Sequence, residues 1–219
     1  DEVNKAKLDN DLCFGTIDSW LLYKLTGNHV TDVTNASRTL LMDLQTLNWM
    51  EDVINRLDIP LDSLPSIKPS MFNYGTNEGI LKNVPITAVL GDQQASLFGQ
   101  NCIASGDVKN TYGTGCFALT NTGSEIVHSN NGLLSTVAYQ KDGDKPQYAI
   151  EGSVSIAGAA VQWLRDNLNI IKESSEVEAL AMGEKDNGDV YFVPAFSGLF
   201  SPHWDETARG VLVGLSRFS

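Results

Sequence analysis

The stretch Val84-Pro85-Ile86-Thr87-Ala88-Val89-Leu90-Gly91-Asp92-Gln93-Gln94-Ala95-Ser96-Leu97-Phe98-Gly99-Gln100 changes periodicity in its middle. Residues 85–90 form a continuous apolar, β-rich run, which predicts a strand buried on both faces. Gly91-Asp92 turns the chain. Residues 93–100 carry Ala95, Leu97 and Phe98 at helical spacing. A buried strand whose C-terminal end opens into a helix belongs to an α/β sheet, and that end is where such sheets bind ligands.

Outward from this stretch the pattern splits. On the N-terminal side, Ile17, Trp20, Leu21 and Leu25 predict a helix from a Thr16 cap to Thr26, with Gly27 as its C′ residue. "VTDVTNASRTLLMD" reads as irregular or short-strand structure. Met50, Val53, Ile54 and Leu57 predict a second helix that ends before Pro60, and residues 60–80, rich in Pro and Gly, read as loop. On the C-terminal side the period becomes β-like. Strands are expected at 107–112, 117–122, 133–139 and 147–151, then helices at 154–168 and 173–183, then a strand at 190–195. Within this, Glu151 is read as ending a strand and Gly152-Ser153 as opening a helix. A domain boundary falls near residue 102.

Bulk properties narrow the function. The 219 residues are 42% hydrophobic, enough for a packed core. Fifteen basic against 27 acidic residues give a net charge of −12, which disfavours nucleic acid and anionic membranes as partners. No apolar run approaches the roughly 18 residues needed to cross a bilayer. Cys13, Cys102 and Cys116 are odd in number and form no CxxC pair, so buried thiols in a reducing, cytoplasmic setting are expected. Both ends, "DEVNKAKLDND" and "GVLVGLSRFS", look cut from a longer protein. His29, His128 and His203 are scattered, so no metal cluster is expected.

Three segments could carry chemistry. In "NTYGTGCFAL" (110–119), Gly113 and Gly115 flank Thr114. They serve either a hairpin turn that needs positive φ, or close approach of backbone N–H groups to phosphate oxygens. Asp92 either accepts a proton from a substrate hydroxyl or N-caps the helix it begins. In "EGSVSIAGAAVQWLRD" (151–166), Gly158 and Gln162 lie one turn apart on a face of small residues, placed to touch one ligand or to pack closely on a sheet. Lys109 either attracts nucleotide or lies on the surface. Trp20 and Trp163 read as core anchors, and Arg165 with Asp166 as a solvated helix end.

The ordered set "FGTIDSW", "TDVTNASRT", "GDQQASLFGQ", "KNTYGTGCF", "NTG", "NGLL", "AGAAVQWLRD" and "VPAFSGL…PHWD…ARG" resembles the FGGY family of carbohydrate kinases from about Phe14 to Leu215. The resemblance implies an α/β fold of two ribonuclease H-like domains of the actin/hexokinase type, both incomplete in this chain, with the active site between them. It implies that residues 1–101 are the C-terminal portion of the N-terminal, glycerol-side domain. Residues 102–219 would be the N-terminal portion of the C-terminal, nucleotide-side domain. It implies transfer of the ATP γ-phosphoryl group to glycerol, giving sn-glycerol 3-phosphate, with Mg²⁺ as cofactor. Asp92 matches the catalytic base, Asp92, Gln93 and Phe117 the glycerol contacts, and Gly113, Thr114, Gly115, Gly158 and Gln162 the nucleotide site. No metal ligand is assigned; Asp92 would only neighbour Mg²⁺. A cytoplasmic, homo-oligomeric parent follows from the same resemblance.

Two departures matter. The family's first phosphate motif, an Arg-Glu pair, a Trp and a Tyr of the glycerol site, and the adenosine loop have no counterpart here, so this chain by itself is expected to be inactive. The loop that binds fructose 1,6-bisphosphate in bacterial relatives is replaced by "YGTNEGILKNVPI", with Glu78 and only Lys82 basic, so that regulation is not expected. The alternatives are another FGGY sugar or polyol kinase, and a non-catalytic actin-like nucleotide-binding protein.

Overall fold

A computed structural model describes residues 2–9, 11–79 and 81–217. The elements run α1 (Glu2–Leu8), α2 (Ile17–Thr26), β1 (Val30–Asp32), α3 (Val33–Ala36), α4 (Glu51–Arg56), a 3-10 turn (Leu61–Ser63), β2 (Ser66–Lys68), β3 (Gly75–Thr76), β4 (Pro85–Ile86) and α5 (Asp92–Gly99). They continue β5 (Val108–Tyr112), β6 (Cys116–Gly123), β7 (Leu134–Tyr139), β8 (Gln147–Val154), α6 (Gly158–Asp166), α7 (Glu176–Gly183), β9 (Tyr191–Val193) and β10 (Val211–Val213).

The chain forms two compact units. One comprises Asp1–Lys109, Thr120–His128 and Ser135–Ile150; the other comprises Asn110–Leu119, Ser129–Leu134 and Glu151–Ser219. In the first, β1 and β2 pair in parallel with Thr31 opposite Ile67, and the connection between them carries α3 and α4. Parallel strands cannot be joined by a tight turn, so this crossover makes the unit α/β. Its core gathers Val33, Ala36, Met42, Val137 and Tyr148, flanked by Leu44, Trp49 and Ile67. In the second unit β9 and β10 pair antiparallel. Trp163 stacks on Phe192 at 5.5 Å and meets Phe196 at 5.0 Å, which fits its reading as an anchor. The strands 5 to 8 form one sheet in the order β5-β6-β8-β7.

Helix α2 ends as expected: Gly27 has φ 73° and its N–H donates to the Tyr23 carbonyl, the left-handed stop a Cβ would oppose. Thr16 holds the cap position, but its hydroxyl makes no capping bond. Several expectations need correction. Only Pro85 and Ile86 of the 85–90 run enter a ladder, with the two-residue β3, and the run is exposed or half-buried throughout. So short a partner covers neither face. Residues 60–80 hold β2 and β3 as well as loop. Strand β8 continues through Gly152-Ser153 to Val154, so α6 starts only at Gly158; α7 starts at Glu176. Trp20 is 56% exposed with the Lys24 ammonium over its ring at 5.1 Å; it is a surface residue, not a core anchor. Of the thiols, Cys102 is buried and Cys13 exposed.

Candidate functional site

Asp92 is the first residue of α5 and is exposed. The cap position belongs to Gly91, which has no side chain to offer. The capping alternative for Asp92 therefore falls away. Its carboxylate is held by its neighbour instead. Oδ1 accepts the Gln93 backbone N–H at 2.8 Å, and Oδ2 accepts the Gln93 side-chain Nε2 at 3.3 Å. The Gln93 Oε1 in turn accepts from the Lys109 ammonium on β5. Lys109 is only 5% exposed, so the surface reading does not describe it.

The floor beneath α5 is a buried polar hub around Asp32, which is 0% exposed. Asp32 caps α3, accepting the Thr34 and Asn35 backbone N–H groups at 2.9 Å each and Asn35 Nδ2 at 2.8 Å. It also accepts the hydroxyls of Thr34 at 2.8 Å and Ser70 at 2.7 Å. Thr34 Oγ1 accepts the Gly91 N–H at 2.9 Å, which ties the hub to the start of α5. Gln94 adds a second tie, donating to Thr136 Oγ1 at 3.3 Å. Asp32, Thr34 and Ser70 were not singled out in the sequence. The available signal was an Asp followed by Thr and Asn at two and three residues, the spacing of a capping Asx motif. Negative charge accumulates here. Burial raises the Asp18 carboxyl above its usual range, and the charges of Asp32 and Asp92 push it further. Burial, then Asp32, likewise raises the Tyr74 phenol.

In the second unit the Gly113–Gly115 turn is stitched to the start of α6. The Thr114 carbonyl accepts the N–H groups of Ala157 at 2.8 Å and Ala159 at 3.2 Å, and the Gly113 carbonyl accepts that of Gly158 at 2.9 Å. Backbone carbonyls thus satisfy donors that a helix N-terminus leaves without partners. Neither Gly113 nor Gly115 has positive φ, so the hairpin reading that required it is corrected. Space is the reason instead. A Cβ on Gly115 would lie 2.4 Å from the Val154 carbonyl oxygen, and one on Gly158 2.6 Å from that of Gly113. Gly113 has open space beside it, with only the Gly115 oxygen at 3.8 Å. Thr114 and Gln162 are exposed and Phe117 is half-buried on β6. One unit therefore brings Asp92 and Gln93 together, and the other brings Gly113, Thr114, Gly115 and Gly158 together, with Gln162 on α6 and Phe117 on the strand that follows the turn. Among the described residues no group of three or more His, Cys, Asp or Glu could hold a metal ion, and no helix is long and apolar enough to cross a membrane.

Known proteins are similar to this chain in sequence and fold. A glycerol kinase of Brucella anthropi is 60% identical over 215 residues, which is 95% of this chain and 43% of that protein. One from Methylobacterium radiotolerans is 59% identical over 98% of this chain and 44% of its own length. The chain thus spans less than half the length of the relatives it matches. The crystal structure of Plasmodium falciparum glycerol kinase with ADP superposes with a TM-score of 0.87 at 42% identity, covering 99% of this chain and 44% of that one. A xylulose kinase from Lactobacillus acidophilus gives 0.77 at 26% identity, covering 92% and 42%. The α/β fold of actin/hexokinase type, incomplete in this chain, is borne out. Residues 1–99 match the N-terminal domain, and residues 108–219 the C-terminal domain, of one family. The chain belongs to the FGGY family of carbohydrate kinases.

Proposed function

We propose that the full-length protein containing this chain phosphorylates glycerol with ATP, giving sn-glycerol 3-phosphate and ADP. One observation carries the choice of substrate. Relatives 53–60% identical across 95–98% of this chain are named glycerol kinase, whereas the xylulose and gluconate kinases of Lactobacillus acidophilus stand at 26%. That one relative was solved with ADP supports the nucleotide.

In this reading a terminal glycerol hydroxyl attacks the γ-phosphorus. Its O–H proton passes to the Asp92 carboxylate, the new P–O bond forms, and the bond to the β-phosphate oxygen breaks to release ADP. The two oxygens of Asp92 are oriented by Gln93, which favours a base that need not search for its geometry. Gln93 contacts glycerol, and the Phe117 ring packs on its carbon chain. Gly113, Thr114, Gly115, Gly158 and Gln162 line the nucleotide. Gly113 is the member with room for a phosphate oxygen against the backbone, while Gly115 and Gly158 keep the turn and α6 in register. The described residues do not form a metal cage. Mg²⁺ would arrive bound to the phosphates. The same reading assigns residues 1–101 to the glycerol-side domain and 102–219 to the nucleotide-side domain of a cytoplasmic, homo-oligomeric enzyme.

The test uses the full-length protein. Asp92→Asn should lower glycerol turnover by about 10²–10⁴-fold and leave ATP affinity within about threefold. Unchanged turnover would remove Asp92 from the mechanism. Faster phosphorylation of xylulose or gluconate than of glycerol would move the protein to another branch of the family.

A further inference from the structure

We infer that Lys109 is a positioning residue for the alcohol side of the site, acting through the Gln93 amide. This rests on the reading of Asp92 as base and Gln93 as glycerol contact. A glutamine amide can present either its oxygen or its NH₂ group to a neighbour, and the two ends have opposite hydrogen-bond character. An ammonium donates and never accepts. The Lys109 ammonium meets Oε1, so it fixes the amide with its NH₂ end toward the Asp92 carboxylate, where Nε2 donates to Oδ2 at 3.3 Å. The relay therefore runs from Lys109 on β5 to Gln93 and then to Asp92, both on α5.

The location makes this a deliberate use of a lysine. At 5% exposure Lys109 has left most of its water behind. Burying an ammonium is unfavourable unless it is hydrogen-bonded, and Gln93 is one of the acceptors that offset this. A long apolar residue at position 109 would fill the same volume more favourably but leave the amide free to rotate. The lysine stem spans from the strand to the helix, so the amide orientation is set from an element other than its own. Loss of Lys109 should thus be felt in glycerol handling more than in nucleotide handling.

A double-mutant cycle on the full-length protein tests it, with Lys109→Met, Gln93→Ala and the pair compared with wild type for both substrates. Lys109→Met should lower kcat/KM for glycerol about tenfold and leave the KM for ATP within about twofold. In the Gln93→Ala background the same change should add less than about threefold, because coupled residues are not additive. Lys109→Arg, which still donates, should recover activity to within about threefold of wild type. Wild-type kinetics after Lys109→Met overturn the inference, as do full losses that multiply in the pair or an ATP KM that moves with that of glycerol. If Lys109→Met does not fold, the cycle is run with Lys109→Leu, which likewise has no donor, with the same expectations. The underlying reading fails separately: Asp92→Asn retains turnover, or wild type ignores glycerol. In the second case the cycle is read on whichever polyol or sugar the wild type phosphorylates.

Discussion

At the scale of single residues, the same type of side chain takes different parts according to what surrounds it. Asp32, Asp18 and Asp92 lie within one unit, yet one is a saturated buried acceptor, one a half-buried carboxyl and one exposed. The fold disturbs the titration of Asp18. Its carboxyl is raised, by burial first and then by Asp32 and Asp92, so the folded state resists its ionisation. The resulting loss of stability is absent below the unfolded value near 4. It grows as pH rises through the raised folded value and is complete above it. Asp18→Asn should therefore raise the melting temperature by about 1–3 °C at pH 8, with the gain shrinking as pH is lowered toward about 4; a scan of both proteins across pH checks this. Lys109 shows the limit of reading such residues from sequence. Its neighbours in the chain, Val108 and Asn110, are exposed, and nothing local announces that its ammonium reaches Gln93, sixteen residues away.

At the scale of elements, the short pieces are held by polar bonds rather than by length. Helix α3 has four residues and β1 three, too few to persist by local propensity. Asp32 joins them, reaches Ser70 beyond β2, and through Thr34 takes the N–H of Gly91 before α5. Removing that acceptor would leave several buried donors without a partner. Asp32→Ala should destabilise the protein by about 3–5 kcal/mol, measured by denaturant unfolding, and Ser70→Ala by less. A loss under about 1 kcal/mol would mean the hub is replaceable. Helix α2 was legible with its bounds because its apolar spacing and Gly27 both act within one segment. The start of α6 was not. The run from Gly152 to Ala160 mixes small residues with the β-branched Val154 and Ile156, and its helix begins only where the carbonyls of Gly113 and Thr114 accept the N–H groups of 157–159.

For the whole molecule, the charge imbalance is the dominant long-range term. The net charge of −12 is spread over a surface on which ion pairs such as Lys7–Asp58, Lys141–Asp144 and Arg165–Asp166 involve largely exposed groups. Self-repulsion then outweighs what such pairs return. Raising NaCl from about 20 to about 300 mM should increase the melting temperature by a few degrees as the Debye length shortens, and a fall would show that local pairs dominate. The family, the α/β class and the identity of the residues in "GDQQ" and "YGTGCF" were determined by sequence alone, because motif spacing and hydrophobic period are properties of the chain. Tertiary structure alone decided that Gly115 and Gly158 are required by space rather than by φ. It also decided that Gly91 rather than Asp92 caps α5, and that Lys109 is buried against Gln93. Each of these depends on atoms brought close by segments far apart in the chain, and steric exclusion and hydrogen bonding act on that distance, not on sequence separation.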